Sequence, residues 1–63
     1  MTLKDLKTFA EAQSNKYPNH DDTIRDLFFL AISEVEDGQP ETHEVELAME
    51  SIKQLVENDL GKQ

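Results

Sequence analysis

An all-α three-helix unit is the fold class this chain predicts, and three observations predict it. Apolar residues recur at three- and four-residue spacing in three segments, helix breakers fall between those segments, and no stretch alternates as a strand would. The helices are expected at about 3–15, 21–37 and 41–60. Short connectors favour antiparallel neighbours, so the expected arrangement is a helical hairpin with the N-terminal helix packed on it. At 63 residues and 7.2 kDa, residues 1–63 form a single small helical domain. In that size range one core is marginal without a staple or a partner.

The first helix starts at Thr2, a good N-cap, with Asp5 three residues on in the first turn. Leu3, Leu6, Phe9, Ala10 and Gln13 follow on one stripe, and the helix should fade near Ser14 and Asn15. Pro18 disfavours helical geometry at Tyr17, and Asn19 or Asp21 can cap the second helix, with Asp21 and Asp22 at its positive N-terminus. That helix ends near Asp37, where Gly38 supplies a left-handed stop and Pro40 blocks continuation. The third helix begins between Pro40 and Thr42 and ends at Gly61. Its Val45, Ala48, Met49, Ile52, Leu55, Val56 and Leu60 project within about 140° of arc, the width of a half-buried helix. Glu46, Glu50, Lys53 and Glu57 take the opposite side, and Leu47 is the one stray apolar residue.

The second helix carries a surplus. Ile24, Leu27, Phe28, Ala31, Ile32 and Val35 make one broad apolar stripe, but Phe29 projects to the far side with Asp22, Ser33 and Glu36, and Leu30 projects beside Asp26 and Asp37. Both cannot join the intramolecular core. Burying two large apolar side chains is worth about 3 to 6 kcal/mol, comparable to the stability of a small domain. One resolution has the first helix covering Leu30 and leaves Phe29 partly exposed. The other buries both in a symmetric dimer or other small oligomer built on the second helix.

Charge and composition narrow the function. Residues 1–25 balance Lys4, Lys7, Lys16 and Arg25 against Asp5, Glu11, Asp21 and Asp22, so residues 26–63 hold the whole formal charge of −8. Nucleic-acid affinity rests on neutralising phosphates with Lys and Arg, so direct DNA or RNA binding is disfavoured. The acidity serves solubility, a basic partner, or mimicry of nucleic acid toward a protein that binds it. No Cys is present, which excludes disulfides and thiol chemistry and fits a reducing, cytoplasmic setting. The longest apolar run, Leu27 to Ile32, is far below the roughly 20 residues needed to span a bilayer, and no secretory leader is legible.

Catalytic and metal readings find little to stand on. His20 lies in a connector and His43 in the first turn of the third helix, and Ser14, Ser33 and Ser51 lack a nucleophile-elbow setting. Ser33 to Glu44 has the length of a calcium loop, with Asp37, Gly38 and Glu44 at the fifth, sixth and twelfth positions. Ser33 at the first position, Val35 at the third and Pro40 at the eighth break the ligand pattern. A second set pairs Glu34 and Asp37 with Glu44, Glu46 and Glu50 across the hairpin. Its spacing resembles the helix-borne carboxylates of all-helical nucleotide pyrophosphohydrolases, over a short stretch only. That resemblance implies a Mg²⁺-dependent nucleotide hydrolase, the least favoured alternative; acidic helices generate such spacings freely. No catalytic residue, metal site or cofactor is assigned.

The expected function is a non-enzymatic acidic protein–protein interaction module, a small regulator or inhibitor of antitoxin or phage-inhibitor type. Its partners are itself, as a dimer or small oligomer, or a basic protein surface, with no nucleic acid or membrane contacted directly. The expected interface is Phe29 and Leu30 as apolar anchors, ringed by Asp22, Asp26, Glu36 and Asp37. The alternative is a small homo-oligomer that holds a nucleotide or other small ligand between subunits, with His20, Arg25, Lys4 or Lys7 as the positive contacts.

Overall fold

The computed structural model describes the backbone of residues 1–61 and the side chains of residues 1–58. Three α-helices follow one another: α1 over Leu3–Lys16, α2 over Asp21–Glu36 and α3 over Glu41–Gly61. Their bounds fall within one residue of the sequence expectation, and no strand occurs among the described residues. Each helix packs against the other two, in a body 39 × 17 × 17 Å across.

Local chemistry sets each boundary. Thr2 is an extended N-cap whose Oγ1 accepts from the Asp5 N–H at 3.4 Å, while Asp5 Oδ2 accepts from the Thr2 N–H at 3.0 Å. This reciprocal pair satisfies two donors that the first turn leaves without helical partners. The α1–α2 connector differs from expectation. Pro18–His20 form a 3₁₀ turn that runs directly into α2, and neither Asn19 nor Asp21 caps the helix through its side chain. With His20 N–H donating to the Tyr17 carbonyl and Asp21 N–H to that of Pro18, backbone bonds replace the side-chain cap. Asp21 instead accepts from Arg25 Nε at 3.2 Å, one turn on.

The end of α2 is a Schellman closure. Gly38 N–H donates to the Val35 carbonyl and Gln39 N–H to that of Glu34, each at 3.0 Å, and Gly38 adopts φ +103°. Open space surrounds the position a Cβ would take, so backbone conformation alone selects glycine here. The Pro40 carbonyl then accepts the Glu44 N–H at 3.0 Å, opening α3. A long-range bond ties the first turns of α1 and α3, since Leu3 N–H donates to Glu41 Oε2 at 2.7 Å.

Leu6, Ile24, Val45 and Ile52 are the fully buried side chains at the centre, with Ala10, Ala31 and Ala48 closing the helix contacts around them. Leu3, Phe9, Leu27, Phe28, Met49 and Leu55 pack over this centre, each partly exposed. The expected stripes on α1 and α3 face the core; Leu60 lies outside the described side chains. The buried set contains no polar or charged residue among those described.

Candidate functional site

Among the described residues, the large apolar side chains left exposed are Met1, Phe29 (59%), Leu30 (57%) and Leu47 (51%). Neither α1 nor α3 covers Phe29 or Leu30. The expectation that α1 covers Leu30 fails because Leu30 faces the α2–α3 side, where it lines a groove with Leu47.

Two grooves flank α2, and they divide the pair. The first, about 780 Å³, runs between α1 and α2 and is lined by Phe28, Phe29 and Ile32 with Lys7, Arg25 and Asp21 among its polar residues. The Phe28 and Phe29 rings stand 5.7 Å apart at 45°, one partly buried and the other at the rim. Arg25 reaches back to Asp21, and its side chain stays largely in solvent. Phe29 therefore sits beside mixed charge rather than in a wholly acidic setting.

The second groove, about 320 Å³, runs between α2 and α3. Leu27, Leu30, Leu47 and Ala48 supply apolar surface, and Glu34 and Glu44 contribute carboxylates from the two helices. Among the described residues, no Lys or Arg and no residue of α1 lines it. Leu27, Leu30, Ala31 and Glu34 share one side of α2 by three- and four-residue spacing, as Glu44, Leu47, Ala48 and Ser51 do on α3. Each row covers about two helical turns, roughly 10 Å.

Asp22, Asp26, Glu36 and Asp37 are all exposed, but none lines either groove. Asp22 sits in the first turn of α2 and Asp37 is its C-cap. Seven residues separate Phe29 from Asp22 and seven from Glu36, so these acids stand about 10 Å away on either side along the axis. Asp26, one turn before Phe29 and Leu30, is the acid of this set nearest to both anchors. Sequence reasoning left Leu47 as a stray apolar residue and did not place it on one groove with Leu30; the signal was its place off the α3 stripe, which needed the facing surface of α2 to acquire meaning.

The remaining candidates scatter. Among the described residues, no three His, Asp or Glu side chains gather closely enough to share a metal ion, so Glu34, Asp37, Glu44, Glu46 and Glu50 do not converge. No described helix is long and apolar enough to cross a membrane. Of the four proposed positive contacts, Lys7 and Arg25 share the α1–α2 groove, while Lys4 and His20 do not line it. No protein family, curated protein or solved structure matches the chain significantly. The functional reading therefore rests on surface chemistry.

Proposed function

We propose that the chain is a non-enzymatic protein–protein interaction module, a small cytoplasmic regulator or inhibitor that binds a basic surface of another protein. One observation carries this reading: Phe29, Leu30 and Leu47 remain more than half exposed on a chain of formal charge −8. Apolar anchors give an interface its affinity, and surrounding carboxylates select a cationic counterpart and suppress others. The same surface supports mimicry of nucleic acid toward a protein that binds it.

The helices are read as an α2–α3 antiparallel hairpin with α1 alongside. The Leu3–Glu41 bond supports this, because it places the beginnings of α1 and α3 at one end. Self-association through Phe29 is the competing use of the exposed surface. Light scattering on the wild type and on Phe29→Glu separates the two: a dimer dissolved by the substitution assigns Phe29 to a homo-oligomer, and a monomer leaves it for a foreign partner.

The module reading is tested with a partner recovered from cells that produce the protein. Charge reversal at Asp26, Glu36 and Asp37 should weaken the complex at least tenfold, and added salt should weaken it further. Affinity indifferent to both would overturn the basic-partner reading.

A second reading is favoured by the α1–α2 groove, where Lys7 and Arg25 stand beside Phe28 and Phe29. Cationic and aromatic side chains together suit an anionic ligand with an apolar ring, such as a nucleotide. Thermal-shift measurements with nucleotides test it: no shift at saturating concentration rejects it.

A further inference from the structure

We infer that the α2–α3 groove is the docking site, and that its occupant is a two-turn stretch of amphipathic helix bearing aliphatic anchors flanked by Lys or Arg. The inference rests on the interaction-module reading and gives it a place and a partner chemistry. Leu30 and Leu47 face one groove from different helices with more than half of each side chain exposed. Leu27 and Ala48 supply further apolar surface between them. The two rows run for about 10 Å, the rise of two helical turns, so a helical segment of that length matches the groove. Because α1 packs on α2 and α3 without lining this groove, an added helix would complete a four-helix arrangement.

Charge selects the occupant. Glu34 and Glu44 line the groove, Asp26 precedes Leu30 by one turn, and Glu50 follows Leu47 by three residues. All four carboxylates are partly or fully exposed, and among the described residues no cation lines the groove beside them. A second copy would set the same carboxylates against one another and add a chain of net charge −8. A stable dimer also needs about 800 Å² from each partner. That is about a fifth of the 4412 Å² surface, far more than this narrow apolar strip offers. A single basic helix meets both conditions.

The test is a titration of the ¹⁵N-labelled protein with two synthetic helical peptides, each carrying leucines at heptad spacing, one with lysines and the other with glutamates elsewhere. The lysine peptide is expected to shift amides of residues 27–34 and 44–51 at concentrations below about 1 mM. Leu30→Lys and Leu47→Lys should each weaken it at least tenfold, while Ala12→Ser, on the exposed side of α1 and outside both grooves, leaves its affinity within twofold. Both leucines are exposed, and unchanged melting curves would show that the variants keep the fold. Shifts centred on Lys7, Arg25 and Phe29 would overturn the groove assignment and leave the basic-partner reading standing. Equal binding of the glutamate peptide would remove charge selection and that reading with it. No shift with either peptide up to about 1 mM would overturn both. A wild-type dimer dissolved by Leu47→Lys would assign the groove to a second copy and overturn the proposed occupant.

Discussion

Leu30 and Leu47 belong to different helices, line one groove and are each more than half exposed, so neither contributes to the fully buried centre. If the groove is the docking site proposed above, stability and recognition draw on different apolar residues, and substitutions should separate them. Leu30→Ala and Leu47→Ala are expected to change unfolding free energy by less than about 0.5 kcal/mol. Ile24→Val or Ile52→Val, which opens a small void at the centre, should cost about 1 kcal/mol. Urea denaturation with a common m-value checks both expectations; a larger loss from Leu47→Ala than from Ile52→Val would reverse this division.

Gly38 offers a test of pure backbone conformation. With open space where a Cβ would stand and φ at +103°, Gly38→Ala should cost about 1 to 2 kcal/mol, while Gly38→Asn costs less. Alanine and asparagine variants that melt together with the wild type would show that the α2–α3 link relaxes out of its Schellman geometry.

Glu41 is expected to matter to a helix it does not belong to. Removing the acceptor of the 2.7 Å bond from Leu3 N–H by Glu41→Ala should speed amide exchange in the first turn of α1. Thr2→Ala, which removes the cap Oγ1 on the same turn, should cost about 0.5 to 2 kcal/mol. The double variant should lose less than the sum of its parts, because Glu41 and Thr2 hold neighbouring amides, those of Leu3 and Asp5, in one fraying turn. Strict additivity in hydrogen exchange would mean that the two contacts act independently.

Asp21 and Arg25 provide the contrasting case. Their 3.2 Å contact joins side chains that remain substantially in water, so Arg25→Gln should alter stability by less than about 0.5 kcal/mol. Equilibrium denaturation at low and high salt measures this; a large loss at both would show that Arg25 contributes through packing in the α1–α2 groove.

Much of the fold was legible because local rules agreed with one another. Thr2 with Asp5 marked the start of α1, Gly38 and Pro40 separated α2 from α3, and the α1 and α3 stripes identified residues that face the core. The Pro18 connector was less legible. A 3₁₀ turn satisfies its amides through backbone carbonyls, so the capping preference of Asn19 and Asp21 went unused. Phe29 and Leu30 were visible as surplus from the angular projection of one helix. Their separation into two grooves was not, because a projection of α2 does not say which neighbour borders each side. Leu47 and Glu44 became meaningful only opposite Leu30 and Glu34.

A centre built on four fully buried side chains places folding and occupancy in the same equilibrium. A ligand that binds only the folded chain adds about 2.7 kcal/mol at one hundred times its Kd, a large fraction of what so small a domain can hold alone. Proteolytic lifetime would then report saturation directly: the bound chain persists, and the unbound chain is cleared through its open state.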